Sequence, residues 1–199
     1  MQEGVGGWAR TSGRKDDFRH ARSASVGDSA ALSPAADAIT FMMLMNSTNP
    51  RFLIEEQVSG APFIVEAGIV PIPMGYLICA PGGKAGEVGE ASLIHPTETE
   101  RVAAYAMTAQ AYGFRMFYLE AGSGADTPVS PDLIRVARES CDLTLVVGGG
   151  IRDGVTARKA AEAGADWVIT GNLSEDFEDV TELQRVLSDF IEEMNSHLN

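Results

Sequence analysis

Residues 143–172 read LTLVVGGGIRDGVTARKAAEAGADWVITGN, and the way this stretch divides decides the fold. LTLVVGGG begins as an apolar, β-branched run suited to a strand covered on both faces. Gly148, Gly149 and Gly150 end that strand, Asp153 is placed to cap a helix over DGVTARKAAEAG, and Gly164 stops it. ADWVITGN returns as the next apolar strand and closes on Gly171 and Asn172. Glycines between a strand and a helix let backbone N–H groups approach an anion closely, because no Cβ stands in the way. A lone GGG is equally compatible with a tight turn. Two successive strand ends, one GGG and one GN, point to a phosphate held between adjacent loops.

The same alternation extends upstream. FRMFYLE is an apolar strand running into AGSGA, and Ser130 with Pro131 opens the helix SPDLIRVARESC. Before it, Thr97 and Glu100 read as a capping box for the helix TERVAAYAMTAQAYG, which stops at Gly113. IPMGYLICAP is another buried strand, followed by the glycine-rich loop GGKAGEVGEASLI. ADAITFMMLMN is the first clear strand; Met42, Met43 and Met45 are core filling. Asn49 then caps a helix with Pro50 at its first position, running through RFLIEEQVSG to a glycine stop. Downstream, Val180, Leu183, Val186, Leu187, Phe190, Ile191 and Met194 line one face of a final helix. Strands alternating with helices require a parallel sheet with right-handed crossovers. Five strands alone could make an open, doubly wound sheet. A barrel is favoured because the functional-looking loops lie on one side only and the last two repeat a phosphate-loop pattern. The expected fold is α/β, of the (β/α)8 TIM-barrel type but incomplete.

Chemistry concentrates at Tyr118-Leu119-Glu120-Ala121-Gly122-Ser123-Gly124. Tyr118 and Glu120 are two apart, so they share a strand face, and Glu120 stands at the strand's C-terminal end. A carboxylate there can accept a proton from a substrate hydroxyl, and Ser123 with its glycine neighbours can contact phosphate or glycerol oxygens. By itself the residue could equally be a solvated, inert strand-end acid.

The run YLEAGSGA, followed by VVGGGIR and then TGN, resembles the geranylgeranylglyceryl phosphate synthase family. ADAITFMMLMNSTNP and PIPMGYLICAPGGKAGEVGEA are similar to it as well, so the likeness runs from about Ala35 to the final helix. The resemblance implies a prenyltransferase of archaeal-type ether-lipid synthesis. It would join C1 of geranylgeranyl diphosphate to the primary hydroxyl of sn-glycerol 1-phosphate, releasing diphosphate. On this sequence it places the glycerol phosphate against Tyr118–Gly124, Gly148, Gly149, Gly150, Gly171 and Asn172. Glu120 becomes the candidate general base and Tyr118 the residue that orients the glycerol. The prenyl tail would lie in an apolar groove across the barrel mouth. It also implies Mg²⁺ at the diphosphate and assembly into a homo-oligomer. The family's magnesium ligands lie in earlier strands that have no counterpart here, and Asp16 and Asp17 do not replace them. Two other readings stay open: another phosphate-binding barrel enzyme, such as an isomerase of histidine or tryptophan synthesis, or a non-catalytic partner of complete barrels.

Length and composition set the remaining expectations. The chain has 199 residues and 45% hydrophobic content, enough for one core but short of the roughly 250 residues of a complete barrel. Residues 1–31 are rich in Gly, Ser and Arg without sustained period, and are expected to be disordered or non-native, leaving 32–199 as a partial barrel. The visible strands correspond to the fourth to eighth, so the chain reads as N-terminally truncated, its sheet unclosed and its turnover little or none. The net charge of −13 repels nucleic acid and anionic lipid at long range. Cys79 and Cys141 lack metal-ligand spacing, and no apolar stretch reaches the roughly 18 residues of a membrane span. These features predict a cytoplasmic protein with no nucleic-acid partner and no transmembrane segment.

Overall fold

A computed structural model describes residues 7–10, 23–25, 36–171, 173 and 179–196. Its centre is five parallel strands: β3 (Ala38–Leu44), β4 (Val70–Ile78), β5 (Met116–Glu120), β6 (Thr144–Gly148) and β7 (Trp167–Thr170). They lie side by side in chain order. A doubly wound sheet reverses its strand order at a switch point, whereas a barrel wall does not. The five strands are therefore a contiguous arc of barrel wall.

Two short strands come from the segment expected to be disordered. β1 (Gly7–Arg10) pairs antiparallel with β7, and β2 (Ser23–Ser25) pairs parallel with the start of β3. The rest of residues 1–35, to which most of that expectation applies, lies outside the described residues. Among the described residues no pairing joins β1 to β2, so the arc does not close.

The helices are α1 (Glu56–Glu66), α2 (Gly83–Val88), α3 (Thr99–Ala111), α4 (Pro131–Ser140), α5 (Gly154–Glu162) and α6 (Val180–Asn195). Alternation along each strand divides the layers. Leu77, Phe117, Leu119, Leu145, Val147 and Val168 face outward and form one core with Val102, Leu133, Ile134, Ala157, Phe190 and Met194. Met74, Tyr118 and Val146 face inward with Tyr76, Met116, Trp167 and Ile169 packed against them. Pro71 and Pro73 are tolerated within β4 because even-numbered residues there bond to β3, as in Val70 N–H to Asp37 C=O. The missing proline N–H groups thus point toward β5, whose ladder starts only at the Met74–Met116 pair.

Most helix signals land where the sequence places them. The Ser130 hydroxyl accepts from Asp132 N–H at 3.3 Å, and the Asp153 carboxylate accepts from Thr156 N–H at 2.7 Å. Gly113 and Gly164 take positive φ and terminate α3 and α5. Two expectations need correction. Gly60 does not stop the first helix: a π-helical turn (Arg51–Glu55) leads into α1, which continues through Gly60 and Pro62 to Glu66. A glycine stops a helix by turning left-handed, and Gly68 does so at φ +68°, with Ile69 N–H returning to Ile64 C=O. Thr97 and Glu100 form no capping box. Instead, the Glu98 carboxylate reaches back to His95 N–H at 2.7 Å and α3 begins at Thr99. The glycine-rich loop after β4 contains α2. On α6 only Phe190 and Met194 are fully buried, while Val180 and Ile191 are exposed. No helix among the described residues is long and apolar enough to cross a membrane.

Candidate active site

Register aligns the chemistry at one end of the arc. Tyr76, Tyr118, Val146 and Trp167 form one row of inward residues, and Ile78, Glu120, Gly148 and Ile169 form the next, at the strands' C-terminal ends. Beyond them the connecting loops enclose a cavity of about 170 Å³, lined by Tyr76, Ala85, Tyr118, Glu120, Ser123, Gly149, Gly150, Ile151, Ile169, Thr170 and Gly171. The two glycine turns therefore border one space, and Glu120 shares it.

Glu120 is held on both oxygens. The Tyr118 hydroxyl donates to Oε2, and Gly122 N–H donates to Oε1 at 2.7 Å. Burial pushes the Glu120 carboxyl above the ordinary carboxylate range, and the bonds from Tyr118 and Gly122 pull against that shift. Burial, and then the adjacent Glu120, drive the Tyr118 hydroxyl well above its usual range, so it stays protonated and donates. The Tyr76 ring packs on Tyr118 with centroids 5.0 Å apart and has the same upward shift from burial. The result is a desolvated acid of raised basicity with two fixed donors and an open cavity beside it.

The glycines are dictated by space. A Cβ on Gly148 would stand 2.3 Å from the Tyr118 hydroxyl oxygen, and one on Gly149 would stand 2.4 Å from Glu120 Oε1 and 2.6 Å from Gly122 N. The glycine run is thus the seat on which the Tyr118–Glu120 pair rests as well as a loop near the ligand. Gly171 differs: among the described residues nothing lies within 4 Å of where its Cβ would be.

The structure brings together Tyr118, Glu120, Ser123, Gly149, Gly150 and Gly171 from the expected set. Gly148 lies directly beneath the pair. Leu119 points into the outer core, and Ala121 is fully buried. Gly122 contributes its N–H to Glu120. Gly124 borders an adjoining cavity of about 410 Å³, which shares Ser123 with the first. Asn172 lies outside the described residues. Sequence reading missed Tyr76, Ala85, Ile151, Ile169 and Thr170. Tyr76 was recoverable, because its alternation with Met74 and Ile78 places it on the inner face.

Fold and site together define one wall of a β/α barrel, with two glycine turns and a buried acid around a single cavity at its C-terminal edge. The PcrB family model matches residues 24–191, and the chain belongs to that family. The geranylgeranylglyceryl phosphate synthase of Methanobrevibacter smithii is 45% identical over 155 residues, covering 77% of this chain and 62% of that protein. Its counterpart from Cenarchaeum symbiosum is 41% identical over 186 residues, covering 92% of this chain and 75% of that protein. The crystal structure of (S)-3-O-geranylgeranylglyceryl phosphate synthase from Thermoplasma acidophilum, in complex with its substrate sn-glycerol 1-phosphate, superposes with a TM-score of 0.78 at 38% identity. That superposition covers 83% of this chain and 66% of the other. The chain thus spans about three fifths of the length of most curated relatives it matches, 62% for the Methanobrevibacter smithii protein. Family and barrel-type fold are established by these likenesses.

Proposed function

We propose that this chain carries the glycerol-phosphate half of a prenyltransferase site of archaeal-type ether-lipid synthesis, and that it binds sn-glycerol 1-phosphate in the cavity beside Glu120. The observation that carries the reading is the sharing of one small cavity by the Gly149–Gly150 turn, Gly171 and the Tyr118–Glu120 pair. The phosphate would sit at the glycine turns, where backbone dipoles favour an anion in a cavity whose described lining holds no Lys or Arg. The primary hydroxyl would face Glu120. As its oxygen bonds to C1 of the prenyl diphosphate, the C1–oxygen bond to diphosphate breaks and diphosphate leaves with the electron pair. The hydroxyl proton passes to Glu120, whose raised basicity suits that role. Tyr118 fixes the carboxylate's orientation throughout.

Magnesium is implied by the family resemblance, to neutralise the leaving diphosphate. Among the described residues no three His, Cys, Asp or Glu side chains are grouped to hold an ion. Glu120 already accepts a hydrogen bond on each oxygen. The described residues do not fit a divalent cation, and no step is assigned to one. The reaction is that of a protein working in the cytoplasm on two small substrates.

Calorimetric titration separates this reading from that of a sugar-phosphate isomerase. sn-Glycerol 1-phosphate should bind and aminosugar phosphates should not; the reverse order would refute the assignment. With geranylgeranyl diphosphate and Mg²⁺ added, this chain alone should show little or no prenyl transfer. Substantial transfer would show that the leaving-group half is present after all.

A further inference from the structure

We propose that Arg152 is a positioning residue, a latch that holds the loop after β5 against the glycine turn after β6. This rests on the functional reading above and extends it to a residue outside the cavity lining. The Arg152 Nη2 donates to Gly124 C=O at 3.0 Å and to Ala125 C=O at 3.4 Å. It thereby spans from the end of the Gly149–Ile151 turn to the loop that carries Gly122 and Ser123. The two loops are already in close contact beneath the latch: a Cβ on Gly150 would stand 2.9 Å from Pro128 N and Thr127 C. On the turn's other side, the Thr170 hydroxyl donates to Ile151 C=O at 2.9 Å. The glycine turn is thus gripped from both flanks, by Thr170 toward β7 and by Arg152 toward β5.

The guanidinium's partners show what it does. Among the described residues its one carboxylate within reach, Asp126 at 3.8 Å, is 99% exposed, so that ion pair contributes little. The well-made contact is to main-chain carbonyls: the two N–H groups of a single Nη2 reach both acceptors, in directions that the planar guanidinium fixes and a rotating lysine ammonium does not. Arg152 itself does not line the cavity. Its effect on a ligand therefore passes through loop geometry and not through its charge.

The test compares the unsubstituted chain with Arg152→Gln and Arg152→Lys. In the free chains, amide hydrogen exchange should rise at residues 122–127 and 149–151 in Arg152→Gln, with the β5 and β6 core amides unchanged. sn-Glycerol 1-phosphate should bind roughly 3- to 10-fold more weakly to Arg152→Gln, the loss expected for one exposed hydrogen-bonding group. That ratio should be the same at low and high salt, and Arg152→Lys should recover part of it. A ratio that shrinks as salt rises would mean that the charge attracts the anion directly and would overturn the latch. Unchanged exchange in Arg152→Gln would overturn it too, whether or not the ligand binds. If the unsubstituted chain fails to bind sn-glycerol 1-phosphate, the functional reading and the ligand half of this proposal fall together, while localised exchange would still support the latch itself.

Discussion

Replacing Gly149 by alanine tests the seat under Glu120. Gly149 has φ +81°, where an alanine pays roughly 1 kcal/mol for left-handed backbone. Its new Cβ would also stand 2.4 Å from Glu120 Oε1, 2.6 Å from Gly122 N and 2.8 Å from Ala121 N. The carboxylate could swing aside only by giving up its 2.7 Å bond from Gly122, and the two backbone nitrogens belong to a buried loop that cannot yield freely. Overpacking of this kind costs about 1–3 kcal/mol. The sum is about 2–4 kcal/mol, a large part of a single domain's stability. With a urea slope of about 2 kcal/mol per molar, the unfolding midpoint should fall by about 1–2 M at unchanged slope. The same variant should lose measurable affinity for sn-glycerol 1-phosphate. A midpoint within experimental error of the unsubstituted chain would refute the packing argument, and retained affinity would refute the role given to Glu120.

The contrasting substitution is Gly171→Ala, where among the described residues nothing lies within 4 Å of the added Cβ; stability should change by less than about 0.5 kcal/mol, and titration should show weakened ligand binding as the methyl enters the cavity. Glu120→Gln should alter the pH dependence of stability. Because burial raises the carboxyl in the folded chain, the folded state binds the proton more tightly, and stability falls as pH rises from the unfolded value toward the folded one. Urea unfolding from about pH 4 to about pH 8 should therefore favour Glu120→Gln increasingly over the unsubstituted chain; a parallel pH dependence in both would contradict the shift. Tyr118→Phe removes the hydroxyl that donates to Glu120 and should destabilise by about 1–3 kcal/mol, with weaker ligand binding checked by the same titration. At the opposite end of the strands, Arg138 joins Asp166 at 2.9 Å and Asp166 also accepts from Leu145 N–H. Arg138→Ala should cost about 3 kcal/mol of stability while leaving ligand affinity unchanged.

Much of this arrangement is legible in the sequence because it is local. The apolar runs around Leu145 and Val168, and the capping residues Ser130 and Asp153, act within a few positions of themselves. The two-residue offset of Tyr118 and Glu120 places both on one face without knowledge of the fold. What stayed hidden depends on neighbours distant in sequence. Gly149 looks like a phosphate-loop glycine, yet the tightest demand on it comes from Glu120 across the ladder. Tyr76 enters the site because β4 pairs with β5 in the register that sets Tyr76 beside Tyr118. Gly60 carries the same residue type as Gly68, and only backbone conformation separates a glycine that stops a helix from one packed inside it. Glu98 occupies the N-cap position, and its carboxylate turns back to His95 N–H; Thr97 and Glu100 match the capping-box spacing but lie one residue out of phase with α3.

The most direct measurement is an amide-resolved NMR titration of the unsubstituted chain with sn-glycerol 1-phosphate. The account predicts saturable shifts concentrated at Gly122, Ser123, Gly149, Gly150 and Gly171, abolished in Gly149→Ala and absent with sn-glycerol 3-phosphate at equal concentration. Shifts confined to one glycine turn, or none at saturating ligand, would contradict the claim that both turns and Glu120 serve a single glycerol phosphate.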